Sequence, residues 1–181
     1  GLECGIGSLP NAVLQALRGR RGLGVHSGAI PDGVVDLELG FCTGGALMGS
    51  QRLFDWARRF PALRLCSSDY THGPDVLRGI ERFVAINSAV EVDLTGQVNG
   101  ELARGSYVGA VGGALDFVRA ANQSAGGISL TVVPSARIVE RLAGPVSVPR
   151  SEAGVVVTEK GAADLRGCTL RERERRMAAI A

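Results

Sequence analysis

Short apolar runs alternate along this chain with segments of helical period, and glycine stands at many of the joints. That alternation constrains the fold most, because strands that repeatedly hand over to helices build a sheet with helices laid on it. With 26 glycines and only 4% aromatic residues, backbone turns rather than aromatic packing set the shape. Ser8 is positioned to cap a helix over about Pro10–Arg18, with Pro10 in its first turn and Val13, Leu14 and Leu17 on one face. Leu23–Ser27 reads as a short strand. Leu53, Phe54, Ala57 and Phe60 recur helically until Pro61 stops them. Leu63 and Leu65 then alternate with polar neighbours, Val76, Leu77 and Ile80 follow Asp75 helically, and Phe83–Ile86 reads as a buried strand.

Val90, Val92 and Leu94 alternate with Glu91, Asp93 and Thr95, which predicts a strand whose acidic face is wet. Gly112-Gly113 opens a helix, and Ile128–Val133 and Val155–Val157 read as further strands. A helix over Leu170–Ala181 is expected to turn Leu170, Met177 and Ile180 inward, with Arg171–Arg176 forming a solvated, salt-bridged face. The expected architecture is α/β: an open, mostly parallel sheet flanked by helices, forming one domain over residues 1–181.

With 45% hydrophobic residues, a chain of this length buries about 70% of its unfolded surface and needs no staple. Cys4, Cys42, Cys66 and Cys168 are isolated and have no histidine at zinc-ligand spacing, so reduced thiols in a cytoplasmic protein are expected and no metal site is read. No run approaches the roughly 18 apolar residues of a membrane helix, and no leader pattern opens the chain. A net charge of only +2, without a basic stripe, argues against nucleic acid as a partner.

Five blocks carry a family signal: GIGSLPNAVL (Gly5–Leu14), DGVVDL (Asp32–Leu37), AINSAVEVDLTGQVN (Ala85–Asn99), VGGALDFVRAA (Val111–Ala121) and VVTEKGAADLRG (Val156–Gly167). In this order they resemble the carboxyl-terminal half of the acetyl-CoA hydrolase/transferase family, which includes 4-hydroxybutyrate and succinyl-CoA:acetate CoA-transferases. The resemblance implies a CoA-transferase-like domain, coenzyme A as a substrate rather than a resident cofactor, an acyl-CoA and a small carboxylate as partners, and homo-oligomers. It also implies that an amino-terminal half or partner subunit completes the active site. Relative to the family two joints are short: Leu37 passes to Thr43 with little loop, and Pro134-Ser135-Ala136 runs straight into Arg137. Either these loops are truly short or residues are missing there.

The family places a glutamate nucleophile two residues after a His or Tyr at a strand end. The matching position here, in His26-Ser27-Gly28, is Gly28, which offers neither nucleophile nor base. The resemblance further assigns Gly5, Ile6, Gly7, Ser8 and Leu9 to a CoA-contacting loop, where glycine admits close backbone approach and the following helix presents its positive end. Val90 is implied to line the CoA channel, and Gly112-Gly113 to hold the thioester oxygen with a backbone amide. His72 stands where asparagine is common and could donate a hydrogen bond or act as a base; a surface loop histidine is the plainer alternative. Glu159 matches a glutamate near the CoA site, and its alternative is a strand-end residue paired with Lys160 or an arginine. Asn87 and Asp116 read as structural, one tying a turn and the other favouring a helix start. Two functions remain open: acyl-CoA:carboxylate CoA-transfer or acyl-CoA hydrolysis by an enzyme, and a non-catalytic CoA-binding or assembly subunit.

Overall fold

The computed structural model describes residues 1–181. In chain order the elements are β1 (Leu2–Cys4), α1 (Ser8–Ala16), β2 (Leu23–Pro31), β3 (Leu39–Met48), α2 (Gln51–Ala57), β4 (Leu63–Leu65), α3 (Ser68–Thr71), α4 (Pro74–Arg78) and β5 (Val84–Ser88). There follow β6 (Glu91–Asp93), β7 (Val98–Asn99), β8 (Leu102–Ala103), β9 (Ser106–Tyr107), α5 (Ala114–Gln123), β10 (Ile128–Val132), β11 (Ile138–Val139), β12 (Val155–Thr158), β13 (Gly161–Asp164) and α6 (Leu170–Ala178).

Eight strands form the main sheet in the order β13-β12-β10-β5-β1-β2-β3-β4. All its pairings are parallel except β12 with β13. Strands β6 and β7 and the β8–β9 hairpin occupy the excursion between β5 and β10, and β11, which follows β10, pairs with β6 to complete a small sheet, β11-β6-β7. The chain winds from β1 outward through β2, β3 and β4, then returns to the other side of β1 as β5 and winds the opposite way. The connections leaving β1 and β5 therefore part company, which opens a crevice at the carboxyl ends of these strands.

Apolar residues hold helices on both faces. On one face Leu14 of α1 and Leu53 of α2 pack with Leu2, Cys4, Val25 and Cys42. On the other, Phe117, Ala120 and Ala121 of α5 and Leu77 of α4 pack with Phe83 and Ala85. A third cluster seats Met177 and Ile180 against Val118, Val156 and Leu165. No helix is long and apolar enough to cross a membrane.

Several local expectations need correction. Helix α1 begins at Ser8 itself; Gly7 is the N-cap and no side chain caps it. Asp93 is not on a wet face but only 2% exposed, its carboxylate accepting from the amides and side chains of Thr95 and Gln97. Leu170, 51% exposed, does not join Met177 and Ile180 in the core. The arginines of α6 are not salt-bridged: Arg173 donates to the carbonyls of Thr95 and Arg150, and Arg176 to that of Asp164. At the two short joints the chain runs directly into regular structure, through Leu37 and Glu38 to β3 and through a 3-10 turn at Ser135–Arg137 to β11.

Candidate functional site

A cleft of about 690 Å³ lies in the crevice at the ends of β1, β2, β3, β5 and β10. Of the residues singled out in the sequence, Gly5, Ile6, Gly28, His72, Val90, Gly112 and Gly113 line it together. Its titratable lining residues are Glu3, Cys4 and His72, and no lysine or arginine reaches it.

His72 is carried on the turn after α3, with its ring against Phe117 of α5, centroids 4.7 Å apart. Its Nδ1 lies 2.9 Å from Thr71 Oγ1, while that hydroxyl lies 3.3 Å from the Ser67 carbonyl. One hydroxyl proton serves both contacts only if Thr71 donates to Ser67 and accepts from Nδ1–H. In that tautomer Nε2 carries a lone pair. The ring edge bearing Nε2 faces two glycines: an ideal Cβ on Gly28 would lie 3.0 Å from Nε2, and one on Gly113 would overlap the ring. The amides of Gly112 and Gly113 donate to no protein acceptor, so they remain free for an oxygen in the cleft. Behind this group His26 contacts the Thr71 carbonyl through Nε2 at 2.9 Å, and burial holds its pKa below the ordinary histidine value.

Glu3 is a site residue that sequence reasoning missed. It is 3% exposed and lines the cleft from β1. Its Oε2 accepts from the Ile86 amide at 3.2 Å and from Asn87 Nδ2 at 2.9 Å, which corrects the reading of Asn87 as a turn-tying residue. Its Oε1 makes no hydrogen bond and is not sealed from the cleft. Burial pushes its pKa up to about 8 against the pull of the two donors, so the carboxyl is largely neutral at pH 7. The signal was an acidic residue at a strand position between apolar neighbours, Leu2-Glu3-Cys4, just before the first glycine turn.

Beside the cleft, sharing Ser88, Ala89 and Val90 with it, is a cavity of about 350 Å³ lined by Gly7, Ser8, Leu9, Pro134 and Arg137. The start of α1 and the Arg137 guanidinium both favour negative charge there. Glu159 lines neither space. It accepts from the Ser135 amide at 2.9 Å, and its bonds to Ser135 hold its carboxyl down at about 2, so it braces the turn that walls the smaller cavity. Asp116 stands in the first turn of α5, as read.

Comparison with known proteins agrees with this architecture. Residues 49–181 match the family described as Acetyl-CoA hydrolase/transferase C-terminal domain. A 4-hydroxybutyrate coenzyme A transferase of Clostridium kluyveri is 38% identical over 99% of this chain and 47% of its own length. An acetyl-CoA hydrolase of Eremothecium gossypii is 31% identical over 96% of this chain and 36% of its own. The crystal structure of RipA from Yersinia pestis superposes with a TM-score of 0.92 at 34% identity, over 99% of this chain and 46% of that one. The chain thus spans about half the length of these relatives or less. The alignment to the Clostridium protein runs over 202 residues against 181 in this chain, so that relative carries extra residues inside the matched region.

Proposed function

We propose a function from one premise: this chain belongs to the acetyl-CoA hydrolase/transferase family, matching its carboxyl-terminal domain. In our reading the cleft takes the thioester end of an acyl-CoA and the neighbouring cavity its phosphates, and the reaction is hydrolysis. An amino-terminal half of the kind the relatives possess closes the site from above. The protein is taken to work in the cytoplasm, where thiols such as Cys66 stay reduced.

The observation that carries the reading is the presentation of His72 Nε2 beside Gly28, where the family resemblance puts a nucleophile and this chain has no side chain. A covalent glutamyl intermediate has no carboxylate at position 28 to form on. A water molecule in that space can instead be deprotonated by Nε2 as its oxygen bonds to the thioester carbon. The Gly112 and Gly113 amides then stabilise the oxyanion. As the carbon–sulfur bond breaks, the CoA thiolate takes the proton from the His72 imidazolium, leaving a free carboxylic acid and CoA.

The test uses the full-length protein with acetyl-CoA. Hydrolysis is expected without a borohydride-sensitive adduct on the protein, and His72→Ala is expected to lower kcat by about a hundredfold or more. An adduct on a carboxylate, seen by mass spectrometry, would defeat the hydrolytic reading. Tight CoA binding with no turnover in either protein would favour the rival reading, a non-catalytic CoA-binding subunit, for which the absence of a side chain at Gly28 is the supporting feature.

A further inference from the structure

We propose that Glu3 contacts the bound acyl group, donating a hydrogen bond from Oε1 as a neutral carboxylic acid to the acyl oxygen. This deepens the reading of the cleft as an acyl-CoA site and rests on it.

The placement comes from strand register. Leu2 of β1 lies opposite Val25 of β2, which sets Glu3 level with His26; since Leu2, Cys4 and Val25 pack against α1, Glu3 faces the side of the sheet that carries α5 and His72. On the other flank Glu3 lies opposite Ala85 of β5. Two N–H groups from β5 occupy Oε2, which leaves Oε1 to carry the proton and face the cleft. A residue needed only to receive the Ile86 and Asn87 donors would be served as well by glutamine. A carboxyl adds a stronger donor, and a charge when it ionises.

No opposite charge meets it. On β1 the neighbouring Cys4 thiol turns to the opposite face with α1, and burial together with the Glu3 charge pushes its pKa above the usual thiol range. Strand β2 contributes His26, held below its ordinary value. From β5 and β10 come Asn87, Ser88 and Thr131, and from α5 Phe117 and Val118, none of them titratable. His72 stands across the cleft on the turn after α3. An ionised Glu3 would turn its donor into an unpaired acceptor and repel the acyl oxygen.

The experiment uses the full-length protein, E3Q and E3L, titrated by calorimetry from pH 6.5 to 9.5 with two inert CoA thioethers. The acetonyl thioether keeps a carbonyl and cannot be hydrolysed; the ethyl thioether has none. The unmutated protein is expected to bind the acetonyl compound about tenfold more weakly above pH 8 than at pH 7, the loss of one good hydrogen bond. The ethyl compound should bind with no such fall. E3Q should bind the acetonyl compound a few-fold more weakly at pH 7 with a flat profile, and E3L about tenfold more weakly at every pH. A flat profile in the unmutated protein, the same alkaline fall in E3Q, or the same fall with the ethyl compound would overturn the role of Glu3 while leaving the CoA site standing. No binding of either compound at any pH would bring down the acyl-CoA reading itself.

Discussion

At Gly113 the backbone passes so close to the His72 ring that a methyl group would overlap it. Gly113→Ala is therefore expected to turn the imidazole out of the cleft and lower acyl-CoA hydrolysis by about a hundredfold, since ~1 Å of misplacement costs that much. The melting temperature should move little, because the ring packs at the edge of the core and not inside it. Steady-state rates beside a thermal melt check this, and an unchanged rate would show that His72 Nε2 is not the base. Glu3 makes a separate prediction through its protons. Its carboxyl is raised from 4.5 to about 8 in the folded chain, so the folded state binds a proton that the unfolded state releases, and stability falls as pH rises through that window and levels off above it. The stability lost is on the order of 4 kcal/mol between pH 4.5 and 8. E3Q has no such proton, so urea unfolding at pH 5, 6.5 and 8 should find the variant gaining on the parent by that amount. A difference that does not change with pH would mean that Glu3 is not buried as described.

Helix α6 is anchored by a capping box in which Thr169 and Glu172 satisfy each other's backbone amides, and it delivers Met177 and Ile180 to the third apolar cluster. Thr169→Ala is expected to cost about 1 kcal/mol and to leave CoA affinity unchanged, as read by urea unfolding and calorimetry; a loss of affinity would mean that α6 couples to the cleft. The inward positions Met177 and Ile180 could be read from their spacing, but the carbonyl contacts of Arg173 and Arg176 could not, because their partners Thr95, Arg150 and Asp164 come from distant parts of the chain. The same division runs through the sheet. The strands β2, β5, β10 and β12 announce themselves as apolar runs, and β4 by the alternation of Leu63 and Leu65 about Arg64. The ten-residue strand β3 does not, because Gly40, Gly44 and Gly45 break its alternation while backbone pairing with β2 and β4 sustains it. Asp93 sits in a sound strand pattern but faces its own turn, where four donors replace water. For the site, the glycine turns were visible through the family blocks, and His72 through the segment Thr71-His72-Gly73-Pro74, which resembles the family outside those blocks. Glu3 was not, since its role arises only when β1 is seen between β5 and β2.

On the scale of the whole molecule, the mouth of the cleft is apolar and open: Ile6, Met48, Val108 and Val111 line it, each about half exposed or more. With the chain spanning about half of the relatives it matches, this rim is expected to be the face that meets an amino-terminal half. The 181-residue chain alone should bind CoA at least about tenfold more weakly than the two halves together, the loss of one wall of the pocket. Calorimetry measures it, and equal affinity would mean that this chain holds the whole site. The floor beneath that mouth is built differently. Strand β2 is paired on both sides through backbone groups, so its place in the sheet does not depend on what residue 28 carries. A Cβ there would ask only that the His72 ring yield by a few tenths of an ångström. Glycine and glutamate codons can differ by a single base, GGA against GAA. A single base change can therefore separate this chain from one that carries a carboxylate at this spot, and the pairing of β2 with its neighbours takes no help from a side chain there.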